Sequence, residues 1–448
     1  MIIPMNATGS PLLSSLTANP ADAALYDALS QGAPINVEEA ARVMDRHDLD
    51  AILIGEPVSV FHALGHWPQI ARTRLGQPPG TFAILRRSAP DRPVLITSRF
   101  LHYYTWADGR VRPDVDCWLY DDLADDDGPV EGSALPGDIP LCPDRGAVAL
   151  SPLEAHRLST SRAALNHRHA YRNAGGAITA ALRELGLWQG RLACDHPVFA
   201  EVLARHNHAG FAIIDYNIMR EIRLIKSPLE IALMSRAAEA NVQALEAVGH
   251  AARAGATYRD MHALFRAEAA ARGNTAVFLN IDRASSELVP FALRDGQALF
   301  LDAVSHFQHY HGDFARTVFI GDPPAAARRA ADAAAFAWNA VREALKPGLK
   351  YSDIVRIGQE ALKKGGHDAI IGFGPHSCGL AHTDEPGEDA GGFWRKPDIT
   401  LRPGMILSVD CPVLDSGIGG SAHCEDLVLI TPDGCEPIHS LHEPVIVV

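Results

Sequence analysis

The stretch "ALFLDAVSHFQHYHGDFARTVFIG", Ala298 to Gly321, sets three histidines between two aspartates that stand eleven positions apart. Apolar residues lead into Asp302 and follow Asp313, a pattern that predicts two antiparallel strands joined as a hairpin. Side chains on a strand alternate faces, so Asp302 shares its face with Val304 and His306, and Asp313 shares its face with His311 and His309. Parity thus leaves several of these residues open as metal donors. A second stretch, "GMILSVDCPVLDSGIGGSAHCEDLVLI" from Gly404 to Ile430, predicts another hairpin, with Asp410 closing one apolar strand and Glu425 preceding the next. Between the two, the glycine-rich "GFGPHSCGLAHTDEPGED" presents His376 and His382.

This half of the chain also repeats itself. "AGATYRDMHALFRAEAAARG" begins at Ala254 and "PGLKYSDIVRIGQEALKKGG" at Pro347, both carrying Gly-x-x-Tyr-x-Asp ahead of a helix that ends in Gly, with Asp260 and Asp353 93 residues apart. A long Ala-rich helix precedes each copy and strand-like segments follow. Residues 226–448 are therefore expected to form an α+β domain of two α-α-β-β halves, a pseudo-twofold internal repeat with helices on one face of the sheets and a cleft on the other. The same 93-residue offset carries Asp302 to Asp410 once a fifteen-residue insertion over "HTDEPGEDAGGFWRK" is allowed. Upstream, "NVEEAARVMDRHDLDAILIG" predicts an amphipathic helix running into a buried strand, and "FAILRR" and "RPVLITS" add strands. One helix over Leu158–Gly186 and the strand "RLACD" complete an α/β N-terminal domain over residues 1–225. Its acidic loop "YDDLADDDGPVEG" lacks the twelve-residue calcium pattern.

A net charge of −14 without a dense Lys/Arg run argues against nucleic acid or an anionic membrane as partner, leaving a small-molecule substrate. No stretch of eighteen apolar residues occurs, and "MIIPMNATGSPLLSSL" has neither a basic nor a long apolar segment, so a cytoplasmic protein is expected. Seven cysteines without a C-x-x-C pair fit reduced thiols rather than a disulfide framework or a zinc module.

Four carboxylates turned into a dry cleft cannot all stay ionised without cations. Two divalent metals would resolve the conflict, activating water and polarising a carbonyl. In order and spacing, Asp302, Asp313, His376, Asp410 and Glu425 resemble the five-ligand set of the pita-bread metalloenzymes: methionine aminopeptidase, aminopeptidase P, prolidase and creatinase. "IRLIKSPLEIALMSRAAEA" (Ile222–Ala240) is similar to the segment that opens their catalytic domain, and "LDAILIGEPVSVFHALG" (Leu49–Gly65) to the first strand of a creatinase-type N-terminal domain. The resemblance implies that Asp302 binds one metal, that His376 and Asp410 bind the other, and that Asp313 and Glu425 bridge. Manganese, iron, cobalt and zinc all suit such mixed ligation. It also implies a homodimer.

The departures are informative. Family members normally carry Glu where Asp410 stands, and the lost methylene removes about 1.5 Å of reach, whereas ligand distances tolerate only about 0.2 Å. Peptidases of the family usually place Arg two residues before the last Glu, where His423 stands on the Glu425 face. A further histidine upstream of the first metal aspartate is not evident in "IDRASSELVPFALRDG". His382 lies close to the position of the family's second, substrate-facing histidine.

Three functions follow. The first is a dinuclear metallohydrolase of the Xaa-Pro peptidase or prolidase type, acting on an amide bond of a small substrate, with His382 and His423 binding or protonating the collapsing intermediate. The second is a metal-dependent lyase resembling the bacterial dimethylsulfoniopropionate lyase branch, in which Asp384 or His382 removes a proton in a β-elimination. The third is a metal-free binding protein. His309, His311, Trp67 and Trp394 are candidate substrate contacts. Cys378, Cys411 and Cys424 adjoin presumed ligands, and strand alternation turns Cys411 and Cys424 away from the ligand face. "GIGGSAHC" lacks the last Gly of a serine-hydrolase elbow and sits between two strands, which excludes that class.

Overall fold

The "ALFLDAV…ARTVFIG" hairpin forms in the computed structural model of the protein, which describes residues 20–68, 77–109, 112–121, 141–168, 170–389 and 394–448. Tyr26–Arg223 makes one compact unit, and Leu224–Val448 together with the residues up to Leu25 makes the other. No helix among the described residues is long and apolar enough to cross a membrane.

In the first unit, β1 (Ala51–Ile54), β2 (Thr81–Arg86), β3 (Ala89–Ser98), β4 (Asp116–Tyr120), β5 (Arg191–Cys194) and β6 (Phe211–Ile214) form one mixed sheet in the order β4-β3-β2-β1-β5-β6. Ile52 and Ile54 enter one core and Ala51 and Leu53 another, so β1 is buried on both faces and reads as an unbroken apolar run. The single helix expected over Leu158–Gly186 is two helices, Pro152–His167 and Ala174–Glu184. Tyr171 bridges to Tyr120 instead of continuing the helix, and the Asn173 side chain caps the second helix on the Gly176 amide. The acidic run after Asp121 lies outside the described residues.

Asp195 follows β5 and accepts the amides of Gly55 at 2.7 Å and Glu56 at 3.3 Å. Burial outweighs these donors and pushes its carboxyl up to about 6 from 3.8. A raised value gives stability that is present below the unfolded value and lost as pH rises through the folded one. Asp195→Asn is therefore expected to flatten the loss of stability between pH 4 and 7 by about 3 kcal/mol. Urea midpoints across that range measure it, and a variant as steep as the wild type would contradict it.

In the second unit, helices Pro228–Ala251 and Tyr258–Ala271 precede β7 (Thr275–Ile281), β8 (Gln297–Phe307) and β9 (Tyr310–Ile320). Helices Ala325–Ala344 and Tyr351–Gly365 then precede β10 (Gly374–Ser377), the short pair β11 (Glu388–Asp389) and β12 (Trp394–Arg395), and β13 (Ile406–Asp410), β14 (Val428–Ile430), β15 (Cys435–Pro437) and β16 (Val445–Val447). Two four-stranded sheets result, β16-β9-β8-β7 and β10-β13-β14-β15, joined through the Ala315–Glu425 and Ala298–Gly420 bridges. The repeated motif proves to be a helix start used twice. Gly255 and Gly348 take φ of 90° and 91°, and the Asp260 and Asp353 carboxylates accept the amides of Thr257 and Lys350 at 2.9 and 3.0 Å.

Register joins the two aspartates of the β8–β9 hairpin, because Asp302 pairs with Ala315 and Val304 with Asp313, which puts both carboxylates on one face. The opposite face packs on the Pro228–Ala251 helix, where Asn241 donates to the Ala303 carbonyl and accepts from Ser305 Oγ, both at 2.7 Å. Gly312 permits that approach, since a Cβ there would lie 2.7 Å from Ala238 Cα. The hairpin turns on Gln308 and His309, with φ of 45° and 68°. His309 is thus a turn residue, and strand parity does not place it on the Asp313 face as expected.

Candidate metal centre

The donors come from both sheets. Three sets of side-chain atoms lie within 4.8 Å of one another: Asp302, Asp313 and Glu425; His376, Asp410 and Glu425; Asp313, His376 and His382. His376 Nε2 stands 3.5 Å from Asp313 Oδ2, 3.7 Å from Asp410 Oδ2 and 3.8 Å from Glu425 Oε1. His382 Nε2 is 3.2 Å from Asp313 Oδ2, and its side chain is 34% exposed where the centre meets solvent. His423 Nε2 lies 3.3 Å from both Asp410 Oδ1 and Glu425 Oε2.

Most of these separations are too long for charge-assisted hydrogen bonds of about 2.7–2.9 Å, yet suit donors arranged round a common cation at about 2.0–2.2 Å from each. The buried atoms Asp313 Oδ1, His376 Nε2 and Glu425 Oε2 find no hydrogen-bond partner among the described residues. Burial, with Asp313 and Glu425 nearby, pushes the Asp302 carboxyl up to about 8, and burial beside Glu425 holds Asp313 well above the carboxylate range. Burial would raise Glu425 also, but His376 and His423 prevail and hold it below its usual value. Burial opposes a charge on His423, but Asp410 and Glu425 raise it to about 10. Divalent cations would relieve both the crowding of carboxylates and the orphaned donors, so the residues fit a metal.

Neighbours that local pattern did not mark hold the donors. Asn280 Nδ2 donates to Asp302 Oδ2 at 2.8 Å from the facing position on β7. The Ser408 hydroxyl, two residues before Asp410, bonds Glu425 Oε1. Gly374 pairs with Asp410, where a Cβ would meet Asp410 Oδ2 at 2.7 Å. The repeat's second tyrosine, Tyr351, donates to Glu385 Oε2 at 2.8 Å, and the same oxygen takes the Ser377 amide at 3.0 Å, steadying β10 beside His376.

His311 Nδ1 lies 3.1 Å from the Gly379 carbonyl, and His309 stacks on His306 with ring centres 5.5 Å apart. Asp384 is fully buried, its Oδ2 accepting the Leu380 amide at 3.0 Å. Trp67 belongs to the first unit and packs on Phe61, while the Trp394 side chain lies outside the described residues. Cys411 and Cys424 lie in the core of the second half, whereas Cys378 faces the centre.

A duplicated α+β unit with imidazole and carboxylate side chains converging from both halves defines a pita-bread fold with a candidate metal centre. Residues 232–432, less than half of the chain, match the model of metallopeptidase family M24, and the chain is similar to pita-bread proteins of the creatinase, prolidase and aminopeptidase type. It is 25% identical to the probable dipeptidase PepE of Mycobacterium bovis over 53% of this chain and 64% of the relative, less than two thirds of that protein. It is also 25% identical to the Xaa-Pro dipeptidase of Pyrococcus furiosus over 52% of this chain and 67% of the relative. The fold resembles the crystal structure of the prolidase from Pyrococcus horikoshii, with a TM-score of 0.62 and 17% identity over 92% of this chain and 99% of that one.

Proposed function

We propose that the protein is a dinuclear metal-dependent hydrolase of the Xaa-Pro dipeptidase type, cleaving an amide bond of a small peptide substrate. The observation that carries this reading is the pair of donor sets, Asp302–Asp313–Glu425 and His376–Asp410–Glu425, which share one carboxylate. Divalent ions held by these residues would supply Lewis-acid polarisation of the carbonyl and an activated water. The chain supplies the rest. Asn280 and Ser408 fix the carboxylates, while His382, partly exposed beside Asp313, gives a proton to the departing nitrogen in this reading. His423 keeps Asp410 and Glu425 turned to one another. The names of the relatives support the peptide substrate, and a homodimer in the cytoplasm belongs to the same reading.

The test is to strip the full-length protein with a chelator, restore manganese, zinc or cobalt, and assay Xaa-Pro dipeptides in oxygen-18 water. Activity should return only with metal, placing one solvent oxygen in the new carboxylate. A product without solvent oxygen would replace hydrolysis by elimination, and a protein that takes up no metal would overturn the reading altogether.

A further inference from the structure

We propose that Cys378 is a positioning residue that sets the tautomer and orientation of His376 for metal binding. The inference rests on the metal reading above and concerns a buried thiol that the proposed reaction does not use.

Cys378 follows His376 by two residues, just past the end of β10, and it is fully buried beside the His376 ring. Its Sγ donates to the His382 carbonyl at 3.0 Å and lies 3.6 Å from His376 Nδ1, with Asp313 Oδ2 farther away at 3.8 Å. A thiol has one proton. With that proton given to the His382 carbonyl, only sulfur lone pairs remain toward His376, so Nδ1 must be the donor of this contact. A proton on Nδ1 leaves the lone pair on Nε2, the atom that faces Asp313, Asp410 and Glu425. Metal-binding histidines ordinarily give their other N–H to a carboxylate or carbonyl, which orients the ring. Among the described residues, the sulfur of Cys378 is the hydrogen-bond partner of His376 Nδ1. The chain of contacts also ties the His376 ring to the backbone of His382, whose ring centre lies 4.7 Å away.

The experiment uses metal-stripped full-length protein titrated with zinc by calorimetry, as wild type, Cys378→Ala, Cys378→Val and Cys378→Ser. Alanine removes both roles of the sulfur, valine does so while keeping bulk in the core, and serine keeps a donor and an acceptor. Alanine and valine should weaken zinc binding about 10- to 100-fold, and serine should restore most of it. In zinc-loaded protein labelled with ¹⁵N-histidine, His376 should show a protonated Nδ1 in the wild type and the serine variant, and lose that single form in the valine variant. Unchanged affinity in the valine variant overturns the proposal while leaving the metal reading intact. A thiolate-to-metal absorption band with cobalt, lost in Cys378→Ser, overturns it by making the sulfur a ligand. A wild type that binds no zinc instead removes the metal reading itself.

Discussion

Asp302→Asn is expected to abolish metal-dependent turnover while making the metal-free protein harder to unfold. The substitution keeps shape and an oxygen for the Asn280 amide, which now meets Asp302 Oδ2 at 2.8 Å. It removes one of three carboxylates in the Asp302–Asp313–Glu425 set, all of them buried or nearly so. Loss of a metal's charge stabilisation, worth several kcal/mol, corresponds to a fall in kcat/KM of about a thousandfold or more. Without metal, the same carboxylate is crowded by Asp313 and Glu425 in a desolvated site, and removing such a conflict is worth about 1–3 kcal/mol. Urea denaturation of chelated wild type and variant, beside steady-state kinetics of the metal-loaded forms, reads both signs. Retained activity, or a metal-free variant less stable than the wild type, would contradict the assignment of Asp302.

The opposite signs explain why this site was legible. A row of apolar residues broken by one aspartate costs stability, and such costs persist where a function needs them. Asp302 and Asp410 stand at such breaks, Asp313 and Glu425 precede the apolar rows that pair with them, and strand parity pointed His423 toward Glu425. The duplicated helix starts were legible for a different reason, since a left-handed glycine and an N3 aspartate are requirements local to a few residues. What local pattern could not supply was everything set across strands. Tyr171 leaves a helix-compatible run because Tyr120 offers a bridge, and Asn280 matters only through its register with Asp302. His309 reads as a strand residue until the turn claims it. Cys378 follows His376 by two residues in plain sight, but its role depends on the His382 carbonyl, brought close by a loop whose path the spacing does not specify.

The largest contact of this hidden kind lies behind Glu425. Arg316, three residues after Asp313, and Asp426, one after Glu425, form a buried ion pair at 2.6 Å with side chains 2% and 3% exposed. The guanidinium also donates to the carbonyls of Ala315, Glu425 and Glu443 at 2.9, 2.8 and 3.0 Å, and Trp338 Nε1 donates to Asp426 Oδ2 at 2.6 Å. One cation thus ties β9, the Glu425 backbone and the C-terminal segment together. Removing the carboxylate strands a charge that cannot reach water. Asp426→Ala is therefore expected to cost about 3–5 kcal/mol, measured by urea unfolding of the metal-free protein. Replacing both partners by apolar residues, Arg316→Met with Asp426→Leu, should recover most of that loss, because an apolar pair needs no compensation. Metal affinity should not recover with it, since the Glu425 carbonyl then has no guanidinium to hold its strand in place. A double variant that regains stability and metal binding together would show that the pair serves only to satisfy itself, and an Asp426→Ala loss below about 1 kcal/mol, the range of exposed pairs, would show that water reaches it.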